Sequence, residues 1–207
     1  MTTNLMNLAR VYLQANLSTV RYHHSLNVCA EMELVAPIYG LDLTQAMFSG
    51  LLHDVAKEIP KENMENLVRD NDPDWWQMLP ENCRHEMYLH DPAGAVLAKR
   101  LFPGLDPVIV SAIRNHVLND PDLPLLTRCL RVADMVRPAF DYDGRERLQD
   151  LFHSGQLDHA SMLLDAMGYM HCRQHDIPIL PVLVEHHAKL EKKAGVTIAD
   201  LIPRHAS

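Results

Sequence analysis

The sequence is short of glycine, with 8 in 207 residues, and shows few of the strict apolar–polar alternations that mark half-buried strands. It has no apolar run near the roughly 18 residues of a membrane-spanning helix. The longest such stretch near the C-terminus, Ile177 to Val184, is short and carries two prolines. Residues 1–10 lack a basic start followed by an apolar segment, so no secretory signal and no membrane partner are expected, and the expected location is the cytoplasm. The four cysteines, Cys29, Cys83, Cys129 and Cys172, form no C-x-x-C pair. That excludes paired-thiolate metal sites and makes a disulfide framework unusual at this size, so buried reduced thiols are expected. Positive charge is scarce too: 19 Lys+Arg stand against 27 Asp+Glu, a net −8. Such a chain is a poor candidate for nucleic-acid binding, although a few local cations can still hold a small phosphorylated ligand.

The length suits one well-buried core, and the pattern is helical nearly throughout. Expected helices run over Thr2–Gln14, Val20–Tyr39 (closed by Gly40), Leu43–Ala56 (capped by Asp42) and Lys61–Arg69. Asp70 to Glu86 reads as irregular, with turn signals at Asn71-Asp72-Pro73-Asp74 and Pro80. Further helices are expected over Pro92–Phe102, Pro107–Val117, Pro124–Val136, Gly144–Phe152, Leu157–Gln174 and Val182–Ala194, the first three opening on proline.

Histidine runs the other way, with 13. Imidazole is the commonest metal ligand and the usual group titrating near neutrality, so the excess directs attention to a metal site. Leu51-Leu52-His53-Asp54 sets two metal-binding side chains together on a helix that wants burial. A buried aspartate is costly unless it is paired or metal-bound. Arg21 and His24 stand at i and i+3 and share a helix face, whereas His23 points about 100° away. His90 precedes Asp91-Pro92 at an expected helix start, His116 closes the Ser111–His116 segment, and Asp134 sits deep in an apolar helix. Ligands spread in this way meet only if the helices bundle around them. Mixed imidazole and carboxylate donors suit iron, manganese, zinc or magnesium.

Several segments carry this pattern: Arg21-Tyr22-His23-His24-Ser25, Gly50-Leu51-Leu52-His53-Asp54-Val55-Ala56-Lys57, Leu89-His90-Asp91-Pro92-Ala93-Gly94-Ala95, Ala112-Ile113-Arg114-Asn115-His116 and Val132-Ala133-Asp134. In this order they resemble the HD superfamily of metal-dependent phosphohydrolases, and within it the bacterial symmetrical diadenosine tetraphosphatases of the YqeK type. The resemblance runs from about Val20 to Pro181. It implies a single all-α domain, with an HD core over about 18–140 and C-terminal helices over about 141–195 packed on it. It implies one or two divalent ions, iron first, with manganese, magnesium or zinc as alternatives. It implies cleavage of a dinucleoside tetraphosphate to two nucleoside diphosphates. By the same resemblance His24, His53, Asp54 and Asp134 hold the metal, and His90 and His116 face the phosphates or hold a second ion. Arg21 and Lys57 contact phosphate oxygens. Asp54 then orients or deprotonates the attacking water, and a protonated His90 or His116 assists the leaving group.

Two departures bear on the nucleotide. Val117 stands where the family carries Thr after the histidine. Arg137-Pro138-Ala139-Phe140 replaces a Glu-Pro with an Arg two residues on, so the phosphate-binding Arg becomes Phe140 and Arg137 is the neighbouring cation expected to stand in. A mononucleotide or cyclic-nucleotide hydrolase, and a nucleotide-binding sensor with little turnover, are the alternative readings. Exposed helix faces leave a homodimer open. Trp75-Trp76 reads as a core plug or a base-stacking lid, and Ile177–Pro181 as a nucleotide contact or a connector. His186-His187, without a carboxylate at useful spacing, reads as a solvated face, as do His153, His159, His171, His175 and His205.

Overall fold

The computed structural model describes residues 2–137 and 144–195. Among them the chain forms α1 (Thr2–Asn16), α2 (Thr19–Tyr39), α3 (Leu43–Leu52), α4 (Lys61–Asn71), α5 (Pro73–Met78), α6 (Glu86–Leu101), α7 (Pro107–Asn115), α8 (Leu125–Val136), α9 (Arg145–His153), α10 (Leu157–Gln174) and α11 (Pro181–Ala194), with a 3-10 turn at Glu81–Cys83. There is no strand among the described residues, and no helix there is long and apolar enough to cross a membrane. The local chemistry explains the boundaries. Ser18 Oγ accepts from the Arg21 N–H at the start of α2, and Asp42 Oδ1 accepts from the Gln45 N–H at the start of α3, so each satisfies an orphan donor. Gly40 ends α2 at φ +63°, a left-handed conformation that glycine adopts without a Cβ penalty.

Three expectations change. The 70–86 stretch is more regular than expected, because Asp72 caps α5 by accepting from the Trp75 N–H. Helix α3 stops at Leu52 and passes into tight turns, with Val55 N–H donating to the Leu52 carbonyl and Lys57 N–H to the Asp54 carbonyl. An apolar pattern does not distinguish those turns from a continuing helix. Helix α6 begins at Glu86, not Pro92, because His85 Nδ1 accepts from the Met87 N–H and caps it there. Pro92 therefore lies inside the helix, where it withholds one backbone donor. His90 and Asp91 face the interior as helix residues.

The apolar residues collect in three clusters. One joins α2, α8, α9 and α10, with Leu148, Leu151 and Phe152 at its centre. A second joins α1, α3, α6 and α7 through Leu13, Leu51, Leu52 and Ile113. The third gathers α4, α5, the start of α6 and Leu180 and Leu183 around Trp75 and Tyr88. Trp75 is thus a core plug, with the Arg114 guanidinium 5.3 Å from its ring.

Helices α2 and α3 cross most closely at Gly50. A Cβ there would stand 2.9 Å from Cys29 Cα and 2.9 Å from the Val28 carbonyl oxygen. Both obstacles are backbone and cannot swing aside. Gly50→Ala is expected to destabilise the protein by about 2–3 kcal/mol, read as a lower denaturation midpoint. An unchanged midpoint would show that the crossing relaxes freely.

Candidate metal centre

Four buried imidazoles form an arc where the helix ends converge. Ring centroids lie 5.1 Å apart from His24 to His53, 5.4 Å from His53 to His116, and 5.1 Å from His116 to His90. They come from α2, the C-terminal end of α3, the end of α7 and α6. Each is tethered through Nδ1 to a backbone carbonyl. The partners are Arg137 O at 2.8 Å for His24, Gly50 O at 2.8 Å for His53, Glu86 O at 3.0 Å for His90 and Ile113 O at 2.8 Å for His116. A carbonyl only accepts, so each Nδ1 carries the hydrogen, and each Nε2 turns a lone pair inward. Tethers of this kind fix the tautomer and orientation that metal ligation needs. The Gly50 tether also explains why the close crossing matters: it sets where His53 stands.

Three aspartates complete the cluster. Asp134 Oδ1 lies 3.0 Å from His24 Nε2 and 3.4 Å from His53 Nε2. Asp54 straddles the arc. Its Oδ2 is 3.5 Å from His24 Nε2 and 3.4 Å from His53 Nε2, and its Oδ1 is 3.5 Å from His90 Nε2. The candidate ligands fall into two groups, His24–His53–Asp134 and Asp54–His90–His116. The third, Asp91, is fully buried, with Oδ1 2.9 Å from His90 Nε2 and 3.3 Å from His116 Nε2. Its Oδ2 accepts from the Val117 backbone N–H. That bond uses no side chain, so any residue except proline at 117 makes it. Sequence reasoning left Asp91 out because it read 91–92 as a helix start. The Leu89-His90-Asp91 run inside a buried helix was the available signal.

These donors fit a metal ion. His116 Nε2 and Asp91 Oδ1 face each other, and neither has a hydrogen-bond partner. With Nδ1 holding the hydrogen of His116, both atoms present lone pairs. His24 Nε2 and His53 Nε2 stand 3.1 Å apart, a contact that is a hydrogen bond once one of the two rings takes a second proton. Only a proton or a cation between such atoms relieves their repulsion.

Protons redistribute accordingly. Burial disfavours the His53 imidazolium, yet the Asp54 and Asp134 carboxylates outweigh it and push its pKa up to about 10. Burial also opposes ionisation of Asp54 and Asp134. It is overcome by His53, Lys57 and His90 for Asp54 and by His24 and His53 for Asp134, so both stay well below the usual carboxylate range. His116 goes the other way: burial outweighs Asp91 and pushes it down to about 4. That direction favours the neutral imidazole over the expected protonated acid. Its chemistry is that of a lone-pair donor.

The cluster forms one end of a cleft of about 640 Å³. Arg21, His24, Asp54, Lys57, His90, His116 and Asp134 line it, whereas His53 is fully buried and does not. Arg21 Nη1 donates to Asp54 Oδ2 at 2.7 Å, and Lys57 Nζ donates to His90 Nε2 at 2.9 Å. Met135, Met167, Tyr169, Ile177 and Ile179 line the cleft too, so the 177–181 connector does border it. Trp75 and Trp76 do not line it. Arg137 does not reach it either. Its guanidinium pairs with the buried Glu31 at 2.7 Å, and His153 takes the other oxygen of that carboxylate. Phe140 lies outside the described residues, as does His205. His186 and His187 are buried rather than solvated: His186 Nε2 lies 3.2 Å from Asp120 and His187 Nδ1 2.9 Å from Asp165. Their carboxylate partners come from other segments, which spacing along α11 does not reveal.

A helical bundle closing an imidazole–carboxylate cluster around its His-Asp dipeptide defines a class of protein. The HD domain family model matches residues 21–139, more than half of the chain, and the chain belongs to that family. It is 28% identical over 148 residues to the symmetrical bis(5'-nucleosyl)-tetraphosphatase of Bacillus subtilis, covering 67% of this chain and 73% of the relative. It is 26% identical over 139 residues to the enzyme of the same name from Halalkalibacterium halodurans, covering 66% and 71%. The crystal structure of a predicted HD superfamily hydrolase from Clostridium acetobutylicum, described as involved in NAD metabolism, superposes with a TM-score of 0.82 at 25% identity, over 91% of this chain and 97% of that one.

Proposed function

We propose that this protein hydrolyses dinucleoside polyphosphates, with diadenosine tetraphosphate as substrate and two ADP as products. The observation that carries the reading is the position of Asp54. Its Oδ2 lies 3.5 and 3.4 Å from His24 and His53 and its Oδ1 3.5 Å from His90, in a cleft large enough for a nucleotide, and relatives at 28% and 26% identity are named symmetrical bis(5'-nucleosyl)-tetraphosphatases. His24, His53 and Asp134 would hold one ion and His90 and His116 a second, with Asp54 between them. Iron is the proposed metal by the family resemblance; the nitrogen and oxygen donors, with all four thiols buried elsewhere, fit iron and equally manganese, magnesium or zinc. A divalent ion held there would supply positive charge toward a phosphate and would lower the pKa of water to roughly 7 in favourable cases.

The chain's own residues do the rest. Arg21 and Lys57 are partly exposed at the cleft floor and each reaches Asp54, at 2.7 Å and 3.9 Å. Their remaining N–H donors face the cleft and can take phosphate oxygens as charge develops. Asp54, held as a carboxylate, orients the attacking water. The water oxygen joins one inner phosphorus, and the bridging oxygen leaves with the other ADP. Chromatography of products from metal-loaded protein and diadenosine tetraphosphate tests the reading. ADP as sole product is expected. ATP plus AMP would keep a hydrolase but move the bound phosphates. No turnover by metal-loaded protein would overturn the reading.

A further inference from the structure

Among the described residues, three permanent cations line the cleft: Arg21, Lys57 and Arg131. Two are committed to the cluster, Arg21 to Asp54 and Lys57 to His90. Arg131 is not. It lies on α8 one turn before Asp134, so the two share a face, and both line the cleft together with Met135. Its Nε is shut off from solvent and donates to nothing. No carboxylate among the described residues pairs with it. Its charge acts instead on the Tyr169 phenol and the Cys172 thiol of α10, which also line the cleft. Asp165 lines the cleft too, but Asn119 and His187 take its two oxygens. A buried donor without an acceptor is costly to keep. A guanidinium fork is the side chain best matched to a phosphate.

We propose that Arg131 is a phosphate-binding residue of this cleft, holding a phosphate of the substrate removed from the one that meets the His/Asp cluster. This rests on the reading of the cleft as a polyphosphate site and deepens it. Arg21 and Lys57 serve the reacting phosphate, and Arg131 rewards a substrate whose phosphate chain extends further.

Steady-state kinetics of the metal-loaded enzyme on diadenosine tetraphosphate decide the matter, using Arg131→Met, which keeps the aliphatic stem, and Arg131→Lys, which keeps the charge. The Met variant is expected to raise KM at least about tenfold with kcat within about threefold, and the Lys variant to recover most of that loss. Metal content and Tm should match the wild type in both. Should the Met variant fail to fold, Arg131→Gln is read in the same way. A KM equal to wild type overturns the inference while leaving the proposed reaction standing. So does a fall in kcat accompanied by metal loss, which would make Arg131 a support of the cluster. Wild-type protein that leaves the substrate intact overturns both.

Discussion

Replacing Asp54 with alanine is expected to cut turnover by at least about 10³-fold and to release metal from both ligand groups. No other side chain touches as much of the cluster. Its oxygens lie within 3.5 Å of His24, His53 and His90, and Arg21 donates to it directly. Loss of a buried carboxylate beside cations usually destabilises by 3–5 kcal/mol. Here the cost should be smaller, because Arg21 and Lys57 have side chains 26% exposed and can turn to solvent. The check is kcat and metal content measured beside far-UV circular dichroism. Activity within tenfold of wild type, in a variant with normal helicity, would remove Asp54 from the centre of the site.

Stripping the metal-loaded protein with a chelator should abolish turnover and lower Tm by roughly 10 °C. An ion that binds only the native state, present at a thousand times its Kd, stabilises that state by about 4 kcal/mol. Each kcal/mol is worth about 2–4 °C in a chain of this size. The structure gives the molecular cause: without a cation, His116 Nε2 faces the Asp91 carboxylate at 3.3 Å and neither atom has a hydrogen-bond partner. Adding back the ion should restore both signals. Metal-free protein with full activity and an unchanged Tm would overturn the assignment of the cluster as a metal site.

The helical architecture was legible because local signals mark it: Asp42 as a cap, Gly40 as a stop, Pro107 at a first turn, and regular apolar spacing between them. The errors fell where local rules compete. A proline at the first turn and a proline inside a helix look alike in sequence, and at Pro92 it was the His85 cap that decided. His24, His53, Asp54, His90, His116 and Asp134 could be read as an ordered set, and the structure brings all six to one place. Asp91, Arg131 and the His186 and His187 partners could not. Their roles depend on which elements lie opposite, as with His187 and Asp165. The Arg137 partner was hidden for the same reason: Glu31 lies on α2, more than a hundred residues away.

The arc of tethered histidines also has a meaning for the chain as a polymer. His24 and Asp134 meet at 3.0 Å although most of the family segment lies between them. A shared ion closes that length into a ring. Long rings are tolerant, since doubling the length of a flexible loop costs only about 0.6 kcal/mol. Extra residues inserted at the exposed Pro103-Gly104 corner between α6 and α7 should therefore leave the ligands assembled. A single added methyl at Gly50, where no length of loop can compensate, should not.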